Sequence, residues 1–166
     1  MASLVYRRLT PAEPSHVAEF QRVFRGTPSF VYPTAGRTPA DAEVEAMMRT
    51  LPTGRDPEDA FIHSISTQGE VCGCSFVVRA CPNPETAYLV LLMFMESAQG
   101  KALGTQALRH IQAEAKSWGC SSLNAVVDSK NERALRFWLR EGFVERFRRD
   151  AAGFLGQAVG IFKNGL

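Results

Sequence analysis

The stretch QGKALGT, residues 99–105, lies between an apolar segment and a segment of helical periodicity. The apolar segment, TAYLVLLMFM at residues 86–95, predicts a central strand that is covered on both faces. Residues 104–118 carry apolar side chains at helical spacing, and Gly119 is a typical residue at the end of such a helix. A junction of this kind directs successive backbone N–H groups outward, which is how proteins commonly bind phosphate. The stretch therefore predicts a phosphate site between a strand and a helix.

Two common nucleotide motifs are excluded by their spacing. A Walker loop needs a glycine five residues before its Gly-Lys pair, where this chain has Met95, and a Ser or Thr after the lysine, where it has Ala102. A dinucleotide-binding G-x-G-x-x-G pattern is also missing, and it would follow an early strand rather than this late one. Neither motif therefore explains the stretch, and a glycine-rich turn that merely changes the direction of the chain is the alternative to a phosphate site.

The segments around the junction follow the order βααβββαβαββ. Alternating or wholly apolar segments predict seven strands, at residues 3–9, 60–67, 70–80, 86–95, 122–127, 143–149 and 156–163. Capping signals predict helix starts in which the first residue caps the helix, at TPAE (10–13), TPAD (38–41) and SKNE (129–132). We expect an α/β fold, an α+β mixed sheet with helices on both faces, in which the helix after QGKALGT joins two parallel strands.

Composition indicates one ordered domain over residues 1–166. Hydrophobic residues make up 45% and charged residues 22%, a balance typical of globular domains rather than of disordered chains. The net charge of +2 is too small to favour nucleic acid as a partner. The first residues lack the pattern of a signal peptide, and the longest apolar run is too short to cross a bilayer. We expect a cytoplasmic protein with no membrane partner.

The cysteines and histidines show no metal-ligand spacing. No C-x-x-C pair occurs among the four cysteines, and the three histidines are scattered, so we expect no metal site. Cys72 and Cys74 are two residues apart in a strand-like segment, which predicts that they share one face. Buried free thiols are the favoured interpretation.

In this element order, the junction resembles the phosphate loop of the GNAT superfamily, the acyl-CoA-dependent N-acyltransferases. The family signature is Q/R-x-x-G-x-G/A at the start of the helix after the fourth strand, and here Ala102 replaces its first glycine. A second stretch, residues 126–143, resembles the family's next strand and helix. Its matching residues are Asn131, Ala134, Trp138, Gly142 and Phe143. The resemblance is good over roughly residues 61–163 and only loose over the first sixty residues.

The resemblance implies a GNAT-like fold and acetyl-CoA as co-substrate, without a metal. In the family the fourth strand carries a bulge and diverges from the fifth, and the pantetheine arm lies in the gap. The residues implied to bind the cofactor are Phe94, Met95, Glu96, Gln99, Gly100, Lys101, Ala102, Leu103, Gly104, Thr105, Asn131, Ala134 and Trp138.

Five residues of this set can be considered one by one. Ala102 is compatible with the loop if its φ stays negative. Lys101 would add charge, and the Thr105 hydroxyl a hydrogen bond. Asn131 has a second interpretation as a polar residue in the first turn of a helix. Trp138 occupies the place of a family tyrosine that is the usual candidate acid for the leaving thiolate. Since indole does not give up its proton, we expect Trp138 to pack against the acyl or pantetheine arm instead, which leaves the acid unassigned.

The catalytic candidate is Tyr88, which by rough alignment stands where some relatives have a glutamate base. Its alternative interpretation is a structural strand aromatic. The strand itself contains no carboxylate, although Glu85 and Glu96 flank it. We therefore expect solvent or a weak, water-linked group to remove the proton, rather than a dedicated glutamate.

The acceptor site is expected near the first helices. Phe30 and Tyr32, with Arg37, are candidates for a pocket that takes a small amine, and a packed surface loop is the alternative. Six arginines form a basic edge that favours a solvated face or attraction of phosphate over RNA: Arg133, Arg136, Arg140, Arg146, Arg148 and Arg149.

These observations favour an N-acetyltransferase that acts on a primary amine, with a small-molecule acceptor and a homodimer as a candidate assembly. Two alternatives stay open. One is a module of the same fold that binds acyl-CoA without catalysis, favoured by Trp138 and by the strand without a carboxylate. The other is a protein or tRNA acetyltransferase, favoured by the basic edge.

Overall fold

The computed structural model describes residues 2–30, 36–152, 154 and 156–166. Within them the helices and strands follow the predicted order βααβββαβαββ. The strands are β1 (Leu4–Leu9), β2 (Ala60–Thr67), β3 (Glu70–Val78), β4 (Thr86–Phe94), β5 (Ser122–Asp128), β6 (Val144–Arg149) and β7 (Ala158–Asn164). The α-helices are α1 (Pro14–Arg25), α2 (Asp41–Arg49), α3 (Leu103–Ser117) and α4 (Glu132–Arg140).

The strands form one mixed sheet in the order β1-β2-β3-β4-β5-β7-β6. Neighbouring strands are antiparallel except β4 and β5, which are parallel and joined through α3. A parallel pair needs a crossover connection, and α3 supplies it. The predicted fold class and the parallel pair are confirmed.

Helices cover both faces of the sheet, and β3 shows how the faces divide. Phe76 packs with α1 and α2, whereas its neighbour Val77 packs with α3 and α4. Successive strand side chains point to opposite faces, so one strand serves two cores. This double coverage explains why β4 has the almost wholly apolar sequence of a central strand.

β4 and β5 separate halfway along their length. Their pairing runs from Thr86↔Ser122 to Leu89↔Ala125, and no further pair is formed within the described residues. At the same point β4 has a bulge, since Phe76 pairs with Leu91 and Val77 pairs with Leu89. The unpaired residue between them is Val90, and a bulge of this kind bends a strand. The bend opens a gap between the carboxyl ends of β4 and β5.

Two predicted helix starts differ from the structure. The first helix begins at Pro14 rather than after Thr10, because the Thr10 hydroxyl accepts a hydrogen bond from the Ala12 N–H (3.2 Å) in a separate turn. α4 is capped by Asn131, whose side chain accepts from the Ala134 N–H (3.1 Å). Ser129, predicted to be the cap, instead accepts from the Gln157 N–H (2.7 Å) next to β7.

The start of α2 also lies later than predicted. The TPAD signal predicts Thr38 as the cap, but the helix begins at Asp41 with Ala40 before it. The Glu43 carboxylate accepts from the Ala40 N–H at 2.7 Å, so the carboxylate of the third helical residue closes this end.

The prediction that Cys72 and Cys74 share a face is wrong. β2 and β3 shift register at this point, with Ile65 paired to Gly73 and Ser66 to Val71, so Cys72 has no partner across the ladder. The bulge turns Cys72 toward the α3 side, while Cys74 packs with α1 and α2. All four thiols are free.

No helix among the described residues is both long and apolar enough to cross a membrane. The same residues contain no cluster of three or more His, Cys, Asp or Glu side chains placed to hold a metal ion.

Candidate active site

A cleft of about 1050 Å³ occupies the gap between β4 and β5. It runs from the start of α3 and the inner side of α4 to the loop after α1 and one side of α2. Small-molecule sites usually enclose about 300–1,000 Å³. The cleft is therefore large enough for two substrates that meet end to end.

The loop before α3 places backbone donors at one end of the cleft. Gly100 has φ +76 with open space around it, and Ala102 has φ +58. The condition set for Ala102, a negative φ, is therefore not met: the residue is in the left-handed region that the signature glycine would occupy more easily. The first N–H to donate within α3 is that of Gln106, to the Ala102 carbonyl (3.4 Å). The N–H groups of residues 103–105 thus project from the helix start, where the helix dipole favours an anion.

Replacing Ala102 with Gly is expected to raise the free energy of unfolding by up to about 1 kcal/mol, because an L-residue in the left-handed region costs roughly 1–2 kcal/mol. Urea unfolding measures the change. The matched control is Ala113→Gly, at an exposed position inside α3, which is expected to lose about 1 kcal/mol. Equal losses in the two variants would show that Ala102 carries no strain.

Gln99 joins the two sides of the cleft at its mouth. Its amide Nε2–H donates to the Phe94 carbonyl (2.9 Å), and its Oε1 accepts from Arg133 on α4 (2.8 Å). A side chain from the loop after β4 therefore connects the end of that strand to α4. A ligand that enters the gap must share or replace these hydrogen bonds.

At the end of β4, one backbone N–H group points toward the gap. The Met95 N–H donates to the Cys72 carbonyl (2.8 Å), and the Glu96 N–H donates to the Gly26 carbonyl (2.9 Å). Because strand N–H groups alternate in direction, the Phe94 N–H points away from β3 and toward the gap. Of the three backbone groups expected to contact a pantetheine arm, Phe94 is the one so oriented.

The first turn of α3 packs closely on α4. A Cβ at Gly104 would lie 3.2 Å from the Phe137 ring, so the absent side chain at this glycine makes room for α4 as well as for a ligand. The Thr105 hydroxyl, expected to reach a phosphate, donates to the Glu141 carboxylate (2.7 Å). The beginning of α3 is therefore fixed against the end of α4.

α4 contributes the second signature residues. Asn131 lines the cleft and caps α4, and its contact with a cofactor stays a prediction. Ala134 lines the cleft as well. Trp138 is 7% exposed and makes edge contacts with Phe137 and Phe143, with ring centroids 4.9 and 5.1 Å apart. Trp138 is therefore a core residue with one edge at the cleft, and its contact with the acyl or pantetheine arm stays a prediction.

Positive charge collects on the α4 side. The lining there includes Lys130, Arg133, Arg136 and Arg140. The acidic residue in the same part of the lining is Asp128, which accepts from the Lys130 N–H at 3.0 Å. Basic side chains beside a helix start favour phosphate groups.

Tyr88 lies toward the other end of the cleft and packs with the α1–α2 core. Burial raises the pKa of its hydroxyl, and the neighbouring Cys81 thiol adds to the increase. The hydroxyl is therefore protonated at neutral pH and is unsuited to act as a base. Phe30 lines this end too, and Tyr32 lies outside the described residues. Arg37 forms two hydrogen bonds with Glu43 (2.8 and 2.9 Å) and is absent from the described lining.

Three predicted cofactor residues are absent from the described lining of the cleft: Met95, Glu96 and Lys101. Leu103 reaches it, although its side chain is buried in the core beside β1. Many other lining residues were not predicted, among them Thr27, Met47 and Val90. Met47 and Thr27 reach the cleft through the packing of α1 and α2 on the sheet, and a single sequence carries no signal for that.

Comparison with known proteins gives a family match. The model of the acetyltransferase (GNAT) family matches residues 19–143. Among curated proteins, none matches the sequence.

Solved acetyltransferase structures have the same fold over nearly the whole chain. An acetyltransferase from Thermus thermophilus is 25% identical, with a TM-score of 0.79 over 98% of this chain and 97% of its own. The ribosomal-protein-S18-alanine N-acetyltransferase from Escherichia coli is 14% identical, with a TM-score of 0.72 over 98% and 94%. The aminoglycoside acetyltransferase AAC(6')-Ib, in complex with coenzyme A, is 20% identical, with a TM-score of 0.72 over 98% and 95%. Because the last two names give different acceptors, this likeness describes the fold and leaves the acceptor open.

Proposed function

Because the chain belongs to the GNAT acetyltransferase family, we propose that it transfers an acetyl group from acetyl-CoA to the primary amine of a small molecule by direct attack. One observation carries the proposal: the gap between β4 and β5 opens at one end onto the helix start of α3 and at the other onto the α1–α2 side. Such a passage lets two substrates enter from opposite ends and meet beside β4.

The residues of this chain fit acetyl-CoA at the α3 end. The N–H groups at the start of α3 and the arginines of α4 suit the phosphates. The free edge of β4 suits the amide groups of the pantetheine arm, which would extend the sheet as an added strand does, with Phe94 as the first backbone partner. The co-substrate supplies the acetyl group as a thioester.

In this proposal the protein contributes mainly by orienting the two reactants and by placing a hydrogen-bond donor at the thioester carbonyl. The cleft holds the thioester and the amine in line, and orientation of two reactants supplies a large part of many enzymatic accelerations. The Phe94 N–H, directed into the gap, is placed to donate to the thioester carbonyl oxygen as negative charge develops there. Neither the orientation of the reactants nor the hydrogen bond from Phe94 needs an ionised side chain.

Proton removal from the amine is assigned to solvent, and the CoA thiolate that leaves when the C–S bond breaks takes its proton from solvent too. The attacking amine must be neutral, and the Tyr88 hydroxyl keeps its proton at neutral pH because its pKa is raised. The Glu96 carboxylate accepts from the Ser29 N–H at 2.8 Å and lies outside the described lining. Glu85 precedes β4, at the end away from the gap.

We expect Glu85→Gln, Glu96→Gln and Tyr88→Phe each to lower kcat less than about tenfold, a barrier change of roughly 1.4 kcal/mol. The wild-type kcat/KM is expected to rise with pH until the acceptor amine itself is deprotonated. Measurement of pH–rate profiles for all four proteins with one good acceptor tests both expectations. A loss of about a thousandfold in one variant that still binds acetyl-CoA normally would identify that residue as the base.

The alternative of a binding module without catalysis is separated by two measurements on the wild-type protein. Calorimetry measures acetyl-CoA binding, and thiol release measures transfer to a panel of amines, peptides and tRNA. Binding with transfer to a small amine supports the proposal. Binding without transfer to any acceptor supports the module, and transfer confined to peptides or tRNA supports the macromolecular alternative.

A further inference from the structure

We infer that the acceptor is a monoamine with an apolar body, such as an arylalkylamine or alkylamine, and that polycationic amines are excluded. The inference rests on the proposed function, since it concerns the second substrate of the same cleft. It is drawn from the distribution of charge along that cleft and from the chemistry of the acceptor end.

Charge is confined to one end of the cleft. Among the described lining residues, the cations lie on α4 and in the turn before it, and Asp128 lies at the end of β5. The Asp128 carboxylate is tied into that turn, where it accepts from the N–H groups of Lys130 (3.0 Å) and Gly156 (3.2 Å). The ionised groups of the lining therefore belong to the cofactor end.

The acceptor end carries uncharged side chains. Its described lining includes Thr27, Phe30, Met47 and Val90, with Tyr88 protonated at neutral pH. These side chains pack on the buried core between the sheet and helices α1 and α2, apart from Thr27, whose hydroxyl donates to the Val23 carbonyl (2.8 Å).

Carboxylates around the acceptor end have partners of their own. Glu96 accepts from the Ser29 N–H (2.8 Å), and Asp41 pairs with Arg25 (2.6 Å). Among the described lining residues, the acceptor end offers a second ammonium group no carboxylate as a counter-ion. An ammonium placed there without one would pay the desolvation penalty of an unpaired charge.

An apolar acceptor end also suits the chemistry. Removal of water lowers the pKa of an amine, because a low-dielectric environment disfavours its charged form. The pocket would thus favour the neutral, nucleophilic amine without a carboxylate base. An apolar body on the acceptor gains from contact with Phe30, Val90 and the adaptable side chain of Met47.

The first test compares acceptors with the wild-type protein at fixed acetyl-CoA and pH. Phenethylamine and hexylamine are expected to have kcat/KM values at least about tenfold above those of spermidine and kanamycin. Calorimetry of phenethylamine and spermidine in the presence of CoA gives the same order without turnover. Preference for spermidine or kanamycin would overturn the inference and leave acetyl transfer intact, as would preference for a peptide with an N-terminal Ala. Binding of acetyl-CoA without transfer to any of these amines would overturn the proposed function as well.

A matched pair of variants tests the position of the acceptor. Met47→Glu adds a carboxylate to the acceptor end, and Met47→Gln adds a side chain of the same size without charge. The Glu variant is expected to have a spermidine-to-phenethylamine kcat/KM ratio about tenfold above that of the Gln variant. Thermal melting shows whether each variant is folded. If either variant is unfolded, the comparison of acceptors with the wild-type protein decides the inference. Equal ratios in two folded variants would overturn the placement of the amine beside Met47.

Discussion

Replacing Gly104 with Asp is expected to lower the affinity for acetyl-CoA by about a thousandfold. Gly104 is in the first turn of α3, whose N–H groups are proposed to bind the phosphates. A carboxylate there faces the phosphate charges, and two like charges about 4 Å apart repel by about 4 kcal/mol at an effective dielectric constant of 20. Isothermal titration calorimetry with acetyl-CoA measures the loss.

The control for this prediction is Gly104→Asn, which has nearly the same shape and no charge. Both variants bring a Cβ to 3.2 Å from the Phe137 ring, so both share any disturbance of the contact between α3 and α4. The difference in affinity between them therefore isolates the charge. Equal dissociation constants for the two folded variants would place the phosphates elsewhere.

Replacing Trp138 with Ala is expected to lower the free energy of unfolding by about 3–5 kcal/mol. Trp138 is buried with Leu108, Val127 and Phe143 in the core beneath α3 and α4. Loss of the indole leaves a cavity that these neighbours fill only in part. Because the same side chain forms part of the cleft wall, the variant is also expected to bind acetyl-CoA more weakly. Urea unfolding and calorimetry measure the two effects.

Trp138→Phe separates packing from catalysis. It keeps an aromatic ring in the core, and we expect a smaller loss of stability and most of the turnover. A Phe variant that is folded, binds acetyl-CoA normally and is inactive would show that the indole takes part in the reaction. The pair of variants therefore tests whether this helix position has lost the proton-donating role of the family tyrosine.

Much of the architecture could be predicted because it depends on local patterns. The apolar sequence of β4 and the glycine-containing loop after it both predicted the crossover through α3. The backbone details could not be predicted, because they depend on distant partners. Ser129 is drawn to Gln157 next to β7, so Asn131 caps α4 instead. Ala102 has a φ of +58, a conformation that its residue type does not signal.

The sequence gives candidates for the α3 end of the cleft more readily than for the acceptor end, for a similar reason. Residues at the α3 end belong to two short motifs whose spacing is visible in one sequence. The proposed acceptor end is assembled by tertiary packing, which brings Met47 of α2 and Val90 of β4 to the same cleft. Neither residue type signals a binding site, since apolar side chains at such positions are ordinary core residues. The charge asymmetry of the cleft becomes visible once these segments are placed together.

The separation of β4 from β5 makes the ligand a structural component of the sheet. Beyond Leu89 and Ala125 the two strands no longer support each other, and a pantetheine arm seated between them, as proposed, would restore the missing ladder. A ligand that binds the folded state alone adds about 2.7 kcal/mol to its stability at a hundred times its dissociation constant. Resistance to unfolding and to proteolysis would therefore rise and fall with the supply of acetyl-CoA, so that the lifetime of the protein is coupled to the availability of its own acetyl donor.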